Sequence, residues 1–243
     1  MQFFDHKTWS VALREPDWYL ALGGELDDLR QRWNNPNDFH ADQIKREVRE
    51  FIETKLLAGE ITLANTGANM DLQRQPIDTV VIHHTSSKPG YTLARMNAVH
   101  LLNLYVPYYT SPPLEEDKNL KGSAIWSGHH DSAGLQVFYA YHWLVRMDGT
   151  VERLLPDGAI GWQAGNWDVN KRSVAICLDN DYTSSNPSSE VLQAIGNIID
   201  LHYPNVRPER IMGHREAAKV ATVCPGNLFE NGWKSDLIRQ LKP

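Results

Sequence analysis

The chain has 243 residues, 42% of them hydrophobic and 22% charged, an ordinary globular mixture that excludes a disordered chain. Its 24 Lys and Arg against 30 Asp and Glu leave a net charge of −6, which argues against nucleic acid as a partner, because phosphate backbones demand clustered cations. No run approaches the roughly 18 apolar residues of a membrane helix, and the N-terminus MQFFDHKTWSVALREPDW has no cationic start leading into an apolar stretch, so the expectation is a protein made in the cytosol without a recognisable signal peptide.

The length suits one catalytic-sized domain, or one domain plus a small helical appendage. Trp18, Tyr19, Leu20, Leu22, Leu26 and Leu29 read as helix with a break at Gly23-Gly24. From Ala41 to Leu57 the apolar positions Ile44, Val48, Phe51, Ile52 and Leu56 keep a helical period. Asn65 to Gln75 is polar and reads as a linker. The expected division is therefore a helical N-terminal extension over residues 1–75 and a larger main domain over 76–243.

TVVIHH, Thr79 to His84, is a β-branched run and predicts a buried strand. Tyr91 to Tyr105 carries helical spacing through Leu93, Met96, Val99 and Leu102. Val106 to Ser123, with its prolines and charges, predicts a long surface loop. Leu135 to Arg146 alternates and predicts one strand, placing Val137, Tyr139, Tyr141 and Trp143 on a common face. A turn centred on Asp148-Gly149 returns the chain as a second arm over Val151 to Leu155. Ser173 to Leu178 is a further strand. Asn186-Pro187 reads as the cap and first turn of a helix whose face holds Val191, Leu192, Ile195, Ile198 and Ile199. Phe229 to Leu241 reads as a C-terminal helix. Strands alternating with helices predict an α/β domain: a mixed central sheet flanked by helices, with the N-terminal helical extension before it.

Three side chains stand out as metal-ligand candidates: His84 at the end of VVIHHT, His214 in MGHRE and Cys224 in TVCPG. A soft thiolate with two imidazoles suits tetrahedral zinc, and three protein ligands leave a fourth position for water. On spacing alone the alternative is structural or solvated histidines. Cys177 reads as a small buried hydrophobe.

VVIHHTS, YHWLVRMDGTVERL, GWQAGNW, RSVAICL, RPERIMGHRE and TVCPG follow one another in an order that resembles the zinc-dependent N-acetylmuramoyl-L-alanine amidases of type 2, a superfamily that includes phage lysozyme-amidases and peptidoglycan recognition proteins. The resemblance covers about residues 78 to 241. It implies Zn2+ as cofactor, with His84, His214 and Cys224 as ligands and His84 preferred to His83. It implies Tyr141 as the catalytic tyrosine, where the residue pattern alone reads equally as a core aromatic. It further implies a peptidoglycan or muropeptide substrate, either recycled fragments in the cytosol or cell wall reached by a non-signal route.

This chain departs from the pattern at three positions. Thr222 stands where phage enzymes often carry lysine, as it does in recognition-protein amidases. Gln163 stands where many members have histidine; a neutral amide binds a carbonyl but cannot act as acid or base. Cys177 stands where some recycling amidases have glutamate. His83 reads as packing on the opposite strand face or as support for the ligands. Trp162, Gln163, His129 and His130 are candidate substrate contacts. Arg215 and Glu216 either orient the preceding histidine or form a surface ion pair. Asp179, Asn180 and Asp181 read as a turn more than a cation site.

The implied reaction hydrolyses the amide between the lactyl group of N-acetylmuramic acid and L-alanine. Zinc polarises the carbonyl and acidifies water, while Tyr141 with Thr222 stabilises the oxyanion. The segment Val106 to His130 is expected to wall or cover the substrate groove. The competing reading is a recognition module that binds peptidoglycan without cutting it; a zinc amidohydrolase acting on another peptide-like amide is a third.

Overall fold

The computed structural model describes residues 2–110 and 123–242. In chain order the elements are α1 (His6–Ala12), α2 (Trp18–Ala21), α3 (Gly23–Trp33), α4 (Ala41–Leu57), β1 (Thr79–His84), α5 (Leu93–His100), a π-helical turn at Leu101–Tyr105, and α6 (Val106–Thr110). They continue with β2 (His129–His130), β3 (Gln136–Val137), β4 (Trp143–Val145), β5 (Val151–Arg153), α7 (Trp167–Asn170), β6 (Ser173–Leu178), α8 (Ser189–His202), β7 (Ile211–Gly213), α9 (His214–Ala217) and α10 (Lys234–Gln240).

These elements sort into two compact units. The first takes Met1–Asn69 with Thr92–Phe138, and the second Met70–Tyr91 with Tyr139–Pro243. This differs from the expected cut at residue 75: the N-terminal helices share a unit with a later stretch of chain.

In the first unit, Ile44, Val48 and Ile52 lie one helical turn apart on α4 and are buried. Arg95 on α5 reaches back to Glu53 on α4, Nε to Oε2 2.5 Å. Gln136 Nε2 donates to the Ala64 carbonyl at 2.7 Å, and Asn97 Oδ1 accepts from Phe138 N at 2.7 Å. The helix expected to stop at Tyr105 runs on as α6 to Thr110, through Pro107. A proline breaks the regular backbone ladder ahead of it, and here the preceding turn is π-helical. The expected loop therefore begins later than Val106; its stretch 111–122 lies outside the described residues.

The second unit holds a five-stranded sheet in the order β5-β4-β6-β1-β7. β1 runs parallel to both β6 and β7, β4 parallel to β6, and β5 antiparallel to β4. Both central strands, TVVIHH and SVAICL, are buried at every position, as strands covered on two faces must be. Strand alternation then divides β1. Val80 and Ile82 join Val174, Ile176 and Leu178 in a core closed by Val191, Leu192, Ile195 and Ile198 of α8. Val81 turns the other way, into a smaller cluster with Ala164, Val169 and Ala217. The cap of α8 is Ser188, whose Oγ accepts from Val191 N, two residues beyond the expected Asn186.

The single strand expected over Leu135 to Arg146 is instead two short ones, β3 and β4, with 138–142 between them. His142 explains the interruption. Its backbone N–H bonds the Ala175 carbonyl at 3.0 Å, but Ala175 N donates to the imidazole Nδ1 at 3.1 Å. The side chain occupies the place of a ladder carbonyl, so regular pairing begins only at Trp143. Phe229–Trp233 is likewise broken from α10 by non-helical backbone at Asn231 and Gly232.

Candidate metal centre

Ligand-capable atoms of His83, His214 and Cys224 all lie within 4.8 Å of one another. Three separate stretches of the second unit supply them. His83 comes from β1, paired to Cys177 on β6. His214 opens α9 directly after β7. The two motifs MGHRE and TVCPG are tied by a backbone bond from Arg215 N to the Cys224 carbonyl, 2.8 Å. Gly213 makes that approach sterically feasible: a Cβ there would stand 2.7 Å from Pro225 Cδ and 2.8 Å from Phe229. Glu216 Oε2 caps the same turn by accepting from Gly213 N at 2.6 Å, and Arg215 pairs with Glu230 at 3.5 Å.

His84, expected as the ligand, does not join the cluster; its neighbour His83 does. The two-residue period of β1 sends His83 to the face of Val81, while His84 shares its parity with Val80 and Ile82. His84 Nδ1 accepts from Tyr182 N at 2.9 Å. Its backbone N–H points at the thiol instead, 3.4 Å from Cys224 Sγ.

The His83 ring is held on several sides. Its centroid lies 4.6 Å from that of His214 and 4.9 Å from that of Tyr141. Nδ1 faces Cys224 Sγ at 3.7 Å, and Nε2 meets Gln163 Oε1 at 2.5 Å. The donor set fits zinc by its chemistry: one thiol and two imidazoles, the combination that borderline-soft ions prefer. His214 is only partly buried, so the cluster opens on one side, which a catalytic rather than a closed structural centre requires.

Burial dominates the local electrostatics. It pulls the His214 pKa down, with His84 adding to the effect, which favours the neutral imidazole, whose unprotonated nitrogen offers one lone pair. Burial pushes the Cys224 thiol up to about 12, opposed by the His84 N–H; coordination of a cation therefore has to displace that proton. Burial, then the neighbouring Cys177 and Cys224, raises Tyr141 well above the ordinary phenol value. Tyr141 is thus a permanent donor beside His83. It sits in the irregular stretch between β3 and β4, not on the expected strand face.

The family model described as N-acetylmuramoyl-L-alanine amidase matches residues 73–227. The chain belongs to that family. Among solved structures, the endolysin amidase LysCS from Clostridium intestinale URNW is 20% identical with a TM-score of 0.46, over 74% of this chain and 94% of its own. The Ph2119 endolysin from a Thermus scotoductus bacteriophage gives 19% and 0.46, over 73% and 90%. Drosophila PGRP-LB gives 20% and 0.42, over 68% and 82%. No curated protein matches the chain.

In this amidase-family site, Thr222 Oγ1 accepts from Cys224 N at 3.2 Å, which leaves its hydroxyl proton to donate. Trp162 packs edge-on to Trp167, centroids 6.3 Å apart. Gln163, expected to contact substrate, is 6% exposed and turns both ends of its amide inward, to His83 and to Ser173. His129 and His130 form β2 of the first unit, paired with β3, His129 buried and His130 exposed. Asp179 is buried in an ion pair with Arg146, 2.6 Å, and accepts from Gly90 N and Tyr91 N, a structural tie and not a cation site. Sequence reasoning missed His83 as a cluster member; the signal was available in the alternation of β1, where it shares parity with Val81.

Proposed function

We propose that the chain is a zinc-dependent N-acetylmuramoyl-L-alanine amidase, cleaving the amide between N-acetylmuramic acid and L-alanine in peptidoglycan or its fragments. The observation that carries this is the convergence of His83, His214 and Cys224 within 4.8 Å, beside a protonated Tyr141, in a chain of the amidase family. His83, His214 and Cys224 would hold the ion. When bound, zinc supplies Lewis acidity toward the carbonyl oxygen and toward water. Neutral His214 offers a lone pair without first losing a proton. Tyr141 donates a hydrogen bond to the oxyanion that develops on the amide carbonyl, an interaction worth roughly 3–4 kcal/mol in the transition state. The Thr222 hydroxyl, its oxygen engaged by Cys224 N, adds a second donor but no base.

Catalysis is favoured over mere recognition because every member of the donor set is present together with the tyrosine. Among the described residues no helix is long and apolar enough to cross a membrane. The test is to incubate the zinc-loaded protein with peptidoglycan and analyse the soluble products by mass spectrometry. New L-alanine amino termini with intact glycan strands are expected. Co-sedimentation with peptidoglycan and no new termini would instead establish a recognition module.

A further inference from the structure

A chain of buried polar contacts ends on the His83 ring. Ser173 Oγ accepts from Gln163 Nε2 at 2.9 Å, and Gln163 Oε1 meets His83 Nε2 at 2.5 Å. Asn170 Oδ1 clamps the backbone of the same segment, accepting from Ala164 N at 2.8 Å and from Gln163 N at 3.4 Å. Ser173, Asn170 and Gln163 are 1%, 5% and 6% exposed, so water does not compete for these bonds. No ordinary surface contact of a substrate-binding amide looks like this.

Only one arrangement of protons lets His83 serve as a ligand. Nδ1 is the nitrogen that faces Cys224 Sγ, 3.7 Å away; to bind an ion there it must present a lone pair. A neutral imidazole then carries its proton on Nε2, and Gln163 Oε1 stands where that proton needs an acceptor. The amide's other end donates to Ser173 Oγ, and the amide lies with its oxygen toward the ring. We propose that Gln163 is a positioning residue that sets the tautomer and orientation of His83 for metal binding, the part that carboxylates or backbone carbonyls play for many zinc-bound histidines. The proposal rests on the metal-site reading above. It makes Gln163 a neutral substitute for a charged partner, so the ring is oriented without added negative charge.

The experiment measures zinc affinity by competition with a chromogenic chelator for the wild-type full chain, Gln163→Met and Gln163→Glu, with circular dichroism as the check on folding. Methionine fills similar volume but accepts no comparable hydrogen bond, and a 10–100-fold loss of affinity is expected. Glutamate still accepts from His83 and from the Ser173 hydroxyl, and should hold affinity at or above wild type. Unchanged affinity in a folded Gln163→Met variant overturns the proposal. A wild-type chain that takes up no zinc overturns the metal-site reading itself, a distinct result. Should Gln163→Met fail to fold, the tautomer is read directly in the metal-free wild-type protein by long-range 15N–1H correlation, with the His83 signal assigned from its loss in His83→Ala. A proton on Nε2 supports the proposal; a proton on Nδ1 ends it.

Discussion

Tyr141 and the adjacent histidines His83 and His84 are where single atoms decide the chemistry. A phenol held well above its usual titration range by burial stays a donor across the physiological range. Tyr141→Phe should therefore leave zinc content intact and lower kcat by about 10²–10³-fold, the effect of deleting one oxyanion donor. Steady-state kinetics beside metal analysis checks this, and a variant with full turnover returns Tyr141 to the core. The histidines should separate just as cleanly. His83→Ala removes a member of the 4.8 Å cluster and should abolish both zinc uptake and turnover. His84→Ala removes the acceptor for Tyr182 N and the ring's approach to Asp181, 3.8 Å; a buried N–H left unmet costs roughly 1–3 kcal/mol, so this variant should melt earlier yet keep its metal. Zinc retained by His83→Ala and lost from His84→Ala would reverse the assignment.

At the scale of elements, what was legible in the sequence is what its periodicity encodes. β1, β6, α4 and the face of α8 lie where β-branched runs and helical spacing put them, because each buries a continuous apolar surface. The misreadings occur where a side chain replaces backbone bonding. The imidazole of His142 takes a ladder position and splits an expected strand, and no pattern of hydrophobicity reports that. Pro107 suggests a loop, yet the helix absorbs it beyond a π-helical turn. For the site, the motifs name His214 and Cys224, and the geometry brings His83 rather than the expected His84 beside them. The role of Gln163 depends on contacts to residues 80 positions earlier and 10 later, which spacing alone does not reveal. Close approach of elements gives its own prediction. A Cβ at Gly161 would stand 2.2 Å from the Ala140 carbonyl oxygen, so the GWQAG loop can pass beside the Tyr141 segment only without one. Gly161→Ala should cost about 1–3 kcal/mol by overpacking and displace Tyr141 relative to Gln163. Urea unfolding and turnover should fall together; a variant as stable and active as wild type would show that the segment relaxes freely.

For the whole molecule, the first unit is discontinuous, joining Met1–Asn69 to Thr92–Phe138. Truncation to residues 70–243 removes α4, against which Arg95 pairs through Glu53, and the Ala64 carbonyl that Gln136 caps, while residues 92–138 remain with their apolar faces uncovered. The truncated chain should melt earlier than the full chain or aggregate, and an unchanged melting curve would make the extension dispensable. Acid stability tests both units at once. His100 in the first and His142 in the second are buried, and desolvation lowers each to about 3. His142 is committed to the neutral form by its bonding, since Nδ1 already accepts from Ala175 N and Nε2 meets the Ala159 carbonyl. Above the unfolded value of about 6.5 neither state binds the proton and these groups add no pH dependence. Below it the unfolded chain gains protons that the native chain refuses, so stability falls with pH until about 3. Each histidine contributes about 1.4 kcal/mol per pH unit, hence about 2 kcal/mol apiece at pH 5, a large share of a typical margin of about 5–15 kcal/mol. Urea midpoints of the metal-free protein, measured between pH 7 and pH 4.5, should fall steeply. His142→Asn, which starts from lower stability, should show a shallower slope; equal slopes would mean that His142 takes up its proton without unfolding.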